Sequence, residues 1–177
     1  MINRNSKENI GDILGVLEEM RDAGIIEKHA IGGAFAAILH YEPISTIDLD
    51  IFFFLSEKND SPIYEFAKQK GFSFDHEFVN IHGWLVQFVE ASHSALWTKA
   101  VENADTIKIG NFDAKVIDKE HLVAMWLYAG RAKDYQKIAM FCEAEFLDDA
   151  KLSAILEKHD LTAKWNKEKW RFSNDEE

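Results

Sequence analysis

The sequence has one cysteine, Cys142, in 177 residues. No intrachain disulfide can form, no paired-cysteine metal site exists, and the composition fits a reducing compartment. Cys142 follows the apolar run Ile138-Ala139-Met140-Phe141, where a thiol packs as a small hydrophobe. No apolar stretch approaches the ~18 residues of a membrane span, so no membrane partner is expected. The first nine residues are polar and charged, without the apolar core of a signal peptide, and the expected location is cytoplasmic. Positive charge is also scarce: 20 Lys and Arg against 31 Asp and Glu give a net charge of −11. Stable binding to duplex nucleic acid or to an anionic membrane is therefore not expected. A small anionic ligand stays possible, because a bound Mg²⁺ and local cations offset the global sign. The sequence has no Gly-x-Ser-x-Gly elbow, no metal-ligand spacing among its seven histidines, no internal repeat and no low-complexity linker.

What is present is ordinary globular composition, 47% hydrophobic and 29% charged. A chain of this length buries roughly 70% of the surface its unfolded form exposes. The pattern predicts an α/β core over 1–117, a helical extension over 118–172 packed on it, and a polar tail at 173–177. Ile10, Ile13, Leu14, Leu17 and Met20 recur at helical spacing over 6–23, with Ser6 as cap and Gly24 as stop. A strand near Lys28–Ile31 precedes Gly32-Gly33 and a helix over Ala34–His40, which Glu42-Pro43 ends. Ile47–Leu55 reads as a buried strand, and Asn59–Pro62 as the start of a helix that stops at Gly71. Phe72–Val79 alternates as one half-buried strand, Asn80–Gly83 turns, and Trp84–Val89 returns. A helix over Ser94–Ala104 and a hairpin centred on Gly110-Asn111 complete the core. Helices follow from Asp118, with breaks near Gly130, Leu147 and Asp160.

Asp48 and Asp50 are two apart on a predicted strand, so both point to one face. Like charges among Leu49, Ile51, Phe52, Phe53 and Phe54 need a compensating partner, and a hard divalent cation is one. Taken alone, the pair better describes a strand that begins in water. Gly32-Gly33, between a strand and a helix, lets the backbone approach a phosphate at a helix start. Taken alone, it better describes a tight turn.

Together the two are more specific. Residues 31–52 read Ile-Gly-Gly-Ala-Phe-Ala-Ala-Ile-Leu-His-Tyr-Glu-Pro-Ile-Ser-Thr-Ile-Asp-Leu-Asp-Ile-Phe. This resembles the signature of the polymerase-beta-like nucleotidyltransferase superfamily. The helical half, with Asp118–Ala124, Gly130–Asp134 and Leu152–Leu161, is similar in layout to bacterial nucleotidyltransferase-like proteins, including relatives of abortive-infection toxins. The resemblance implies an α+β fold, with a central mixed β-sheet flanked by helices and a C-terminal helical extension. It implies that Gly32 and Gly33 hold nucleotide phosphate, that Thr46 orients the loop, and that Asp48 and Asp50 bind Mg²⁺ or Mn²⁺ and carry the catalysis. The substrate it implies is a nucleoside triphosphate. The acceptor stays open: a small molecule, a protein hydroxyl or an RNA end.

The chain departs from that pattern at two places. Where relatives carry a third carboxylate on a later strand, Leu85-Val86-Gln87-Phe88-Val89 offers Gln87, a neutral amide. Glu90 has the wrong parity for the same face, and Asp75 with Glu77 are substitutes on the preceding strand. Where many relatives have an arginine two residues before the threonine, this chain has Ile44. Arg131, Lys133 and Lys137 are the best local cations for phosphate, or else a solvated helix face. Asp134 either turns to the site or pairs with a neighbouring cation. His40 is read as capping or packing. Two functions follow: a nucleotidyltransferase, or a nucleotide-binding or protein-interaction module that kept the fold and lost the chemistry.

Overall fold

The structure is a computed structural model and describes residues 4–40, 46, 48–56, 61–145 and 147–172, the side chains of 4–9 and of Ser61 excepted. Ser6 is not a cap, because the first helix already runs from Arg4 and places Ser6 inside it. The Glu42-Pro43 helix end, Ile44, Ile47, the Asn59-Asp60 helix start and the tail 173–177 lie outside the described residues. The chain divides into two compact units, Met1–Ile117 and Asp118–Glu177.

The first unit is built on a seven-stranded mixed sheet. In chain order it contains α1 (Arg4–Asp22), β1 (Ile26–Ile31), α2 (Gly33–His40), β2 (Asp48–Leu55), α3 (Ser61–Gln69), β3 (Ser73–Asp75), β4 (Phe78–Ile81) and β5 (Trp84–Glu90). A 3₁₀ turn (Ala91–His93), α4 (Ala95–Glu102), β6 (Asp105–Ile109) and β7 (Phe112–Val116) follow. The strand order is β3-β4-β5-β2-β1-β7-β6. β2 is central, antiparallel to β1 and parallel to β5, which suits its apolar run: Leu49 and Ile51 are fully buried. Ile10, Ile13, Leu14, Leu17 and Met20 of α1 are all buried, as their spacing predicts. Gly24, at φ +69°, ends α1 with bonds from Gly24 N–H to Arg21 O and from Ile25 N–H to Met20 O, both 2.9 Å.

Helices lie on both faces of the sheet. Phe35 of α2 meets Trp84 edge to face at 5.3 Å, on the side of Leu49 and Ile51. Trp97 of α4 meets Phe52 at 5.8 Å, on the side of Asp48, Asp50 and Gln87. The Gly110-Asn111 hairpin forms as expected between β6 and β7.

One expected strand is two. The alternation over Phe72–Val79 does not continue, because the chain reverses at His76-Glu77, with His76 at φ 53°. β3 and β4 then pair antiparallel, with Asp75 opposite Phe78. Asp75 and Glu77 therefore do not share a strand face; both are exposed at the hairpin end. The next turn is also tighter than expected. Asn80 and Ile81 stay in β4, His82-Gly83 make the reversal, and Asn80 Oδ1 accepts the Gly83 N–H at 2.9 Å.

The second unit contains α5 (Lys119–Ala129), α6 (Ala132–Glu143), α7 (Asp149–Lys158) and α8 (Thr162–Glu168), with a 3₁₀ turn at Lys169–Arg171. Asp118 caps α5 through the His121 N–H at 2.9 Å, and Gly130 ends it at φ +67°. Asp118, Glu120, His121 and Asp134 are buried. Asp118 Oδ2 lies 2.7 Å from His121 Nδ1, and Lys151 Nζ bridges Asp118 at 3.2 Å and Glu120 at 3.0 Å. Burial alone would raise the Asp118 carboxyl; the hydrogen bonds from His121 and the nearby charges outweigh it and hold the pKa at about 2. Among the described residues no helix is long and apolar enough to cross a membrane.

Candidate functional site

The end of β1 and the start of β2 bring the glycines to the carboxylates. Ile31 pairs with Ile51, and the Gly32 N–H donates to the Asp50 carbonyl at 2.8 Å, extending the ladder by one residue. A Cβ at Gly32 would lie 2.5 Å from the Phe52 ring. Gly33 adopts φ +59°, and a Cβ there would lie 1.7 Å from Asp50 Oδ2. The Asp50 carboxylate thus rests against the bare Cα of Gly33, in space that any side chain would occupy. Gly33 also begins α2, whose first N–H groups have no acceptor within the helix, since the first helical bond runs from Ala36 N–H to Gly32 O at 3.1 Å.

Asp48 and Asp50 share a sheet face, Asp48 exposed and Asp50 half-buried. Thr46 fixes the strand entry: its Oγ1 accepts the Asp48 N–H at 3.1 Å and donates to the Asp48 carbonyl at 3.3 Å. β5 runs parallel beside them, with Leu85 opposite Asp48 and Gln87 opposite Asp50. Gln87 is therefore the neighbour of Asp50 on the carboxylate face, and Glu90, opposite Phe53, has the other parity.

The donor set fits a small, hard dication. Two carboxylates two strand positions apart on one face, with Gln87 in register beside Asp50, leave coordination positions for water and phosphate, as Mg²⁺ prefers. The cradle at Gly33 keeps the Asp50 carboxylate beside the glycine turn. Among the described residues no cluster of three or more His, Cys, Asp or Glu is poised for a metal, so these two acids have no third carboxylate or imidazole with them.

Gly32, Gly33, Asp48, Asp50 and Gln87 are brought together within the first unit. Arg131 and Lys133 belong to the second. There Arg131 forms a two-pronged bond to the buried Asp134, at 2.6 and 3.1 Å, and Lys137 approaches the same carboxylate at 3.6 Å. Asp134 thus pairs with its helix neighbours, while Lys133 is exposed. His40 Nε2 donates to the Ile117 carbonyl at 2.8 Å, a hydrogen-bonded tether rather than a packing contact.

Sequence reasoning missed a cavity of about 300 Å³ that Gln87 shares with Glu90, His93 and Trp97. Its signal lay in where β4 begins: that strand pairs with β5 only as far as Gln87, which leaves the same edge of Phe88–Glu90 without a strand partner among the described residues. The Asp118–His121–Lys151 network was also missed, since its members are scattered over 34 positions.

No protein-family model and no curated protein matches the sequence. Solved structures do. The antibiotic-resistance factor ANT(2″)-Ia, whose solution structure is described as revealing substrate-regulated conformation dynamics, superposes with a TM-score of 0.56 at 12% identity. That match covers 96% of this chain and 98% of the other. A provisionally named nucleotidyltransferase from Thermotoga maritima superposes with a TM-score of 0.42 at 15% identity, covering 76% of this chain and 95% of that one. The first match carries the fold: this is the α+β nucleotidyltransferase fold, with its central mixed sheet and flanking helices.

Proposed function

We propose that the chain binds a nucleoside triphosphate with a divalent cation at the Asp48/Asp50 face and transfers a nucleoside monophosphate to an acceptor. The observation that carries this reading is the contact of Gly33 with Asp50, in which a positive-φ glycine leaves room for a carboxylate rather than for a backbone partner. The nucleotidyltransferase fold supports it.

In this reading the backbone at Gly32 and Gly33 and the first N–H groups of α2 bind the phosphate tail and hold it in line. Asp48 and Asp50 would hold Mg²⁺ or Mn²⁺, which would supply charge stabilisation for the phosphoryl group and the departing pyrophosphate. Thr46 keeps Asp48 at a fixed strand entry through its two bonds. The acceptor oxygen forms a bond to the α-phosphorus as the bond to pyrophosphate breaks, and the acceptor's proton passes to water or to the departing pyrophosphate. Gln87 can orient an acceptor through its amide but cannot take its proton. Incubation with labelled nucleoside triphosphate, Mg²⁺ or Mn²⁺ and a panel of hydroxyl acceptors tests this. Label in an acceptor supports it; the absence of label with any acceptor, under conditions where the nucleotide binds, contradicts it.

The position of Gln87, in register with Asp50, favours a second reading: a nucleotide-binding or protein-interaction module of the same fold without the transfer chemistry. That reading predicts metal-dependent nucleotide binding, or binding of a protein partner, and no product.

A further inference from the structure

We infer that the cavity at the open end of β5 binds a small amphipathic amine. The cavity measures about 300 Å³ and is lined mainly by apolar and aromatic side chains, including Ile63 and Tyr64 of α3, Phe88 of β5 and Trp97 of α4. Three polar residues interrupt that lining: Gln87, Glu90 and His93. Its origin is topological, since β4 leaves β5 at Gln87 and both faces of the strand end meet the cavity.

Glu90 gives the site its sign. Its Oε1 is tied to the following turn, accepting Ser92 N–H at 3.1 Å and Ser92 Oγ–H at 2.6 Å. Its Oε2 is buried and makes no hydrogen bond among the described residues. His93 Nε2 stands 3.2 Å from that oxygen without forming one, on a side chain 79% exposed. A buried carboxylate oxygen without a donor is costly, and a cationic N–H is the donor that compensates it best. An exposed imidazole changes rotamer in nanoseconds, so an entering ammonium replaces it beside Oε2. The aromatic walls accept a ring-sized body and add attraction for the cation. Gln87 and Glu90 leave opposite faces of the strand, three positions or roughly 10 Å apart, and both line the cavity at the open strand edge, so a ligand with its amine at Glu90 reaches the Gln87 amide around that edge. That end lies where the acceptor of a transfer would be held; this last step rests on the nucleotidyltransferase reading, whereas the binding itself does not.

The test uses the full chain without nucleotide or metal. Tyramine and its uncharged analogue tyrosol are titrated by calorimetry, with the Gln87 side-chain amide and the Trp97 indole N–H followed by NMR. Wild type should bind tyramine roughly tenfold or more tightly than tyrosol, with shifts at both reporters. Glu90→Gln should erase the difference, and His93→Ala should keep or raise the affinity for tyramine. Equal affinity for the two ligands in wild type, no tyramine binding, or undiminished discrimination in Glu90→Gln overturns the proposal. So does a loss of tyramine affinity in His93→Ala. The wild-type comparison stands even if a variant fails to fold.

Discussion

Alanine at position 33 separates a glycine needed for a turn from one needed by a carboxylate. The added methyl would start 1.7 Å from Asp50 Oδ2 and 2.7 Å from its Cγ, where ordinary contact begins at 3.4 Å. The carboxylate must retreat by more than an ångström, or the turn must open. The φ of +59° adds about 1–2 kcal/mol for a residue with a Cβ. The expected stability loss is of that order, several degrees in Tm for a chain of this size. Nucleotide binding should suffer more: with Asp50 displaced, affinity for the Mg²⁺-nucleotide complex should fall roughly tenfold or further. Gly32→Ala is the contrast. Its methyl would meet the Phe52 ring at 2.5 Å rather than the acid, so the expected cost is about 1–3 kcal/mol of overpacking with a smaller change in affinity. Thermal melts and calorimetry at fixed Mg²⁺ measure both. A Gly33→Ala protein that melts several degrees lower yet binds nucleotide as wild type does would refute the role given to the Gly33–Asp50 contact.

Gln87→Glu should raise turnover by about 10²–10⁴-fold if proton transfer limits the reaction, read as labelled nucleotide entering an acceptor; an unchanged rate would remove Gln87 from the account. Stability should fall in acid in two windows. His29 is held at about 4 by burial and by the Arg21 charge, so its neutral form favours the fold; that contribution, at most about 3 kcal/mol, is full above pH 6.5 and is lost as pH falls toward 4. The depressed Asp118 carboxyl contributes stability above about pH 4 that is lost as pH falls toward 2. Denaturant titrations of wild type and His29→Gln check the first window: a variant whose stability declines between pH 6.5 and 4 as steeply as wild type contradicts the assignment.

The sequence made the core of the site readable because its signals are local. The apolar run after Asp48 requires a buried strand, and a glycine pair before a helix requires a turn, so 31–40 and 48–52 follow from their own residues. The placement of Gln87 beside Asp50 needed only the parity of two strands. What failed depended on contacts between distant residues. Alternation over Phe72–Val79 fits one strand or a hairpin equally well, and the reversal at His76 comes without a glycine or proline to mark it. With that reversal, Asp75 and Glu77 lose the shared face that made them candidates. The pairing of Arg131 with the buried Asp134 is one that spacing permits but does not select. The carboxylate of Glu90 was visible as a residue; its bare oxygen and the cavity beside it follow from where β4 begins, which no periodicity records.

The most direct measurement of the central claim is calorimetric binding of a non-hydrolysable nucleoside triphosphate, with and without Mg²⁺, to wild type and to Asp50→Asn. Wild type should bind only with the cation present, since two carboxylates on one strand face repel bare phosphate, and a folded Asp50→Asn should lose most of that affinity. Equal binding with and without Mg²⁺, or a folded Asp50→Asn that binds as wild type does, would contradict a metal-nucleotide site at Asp48 and Asp50.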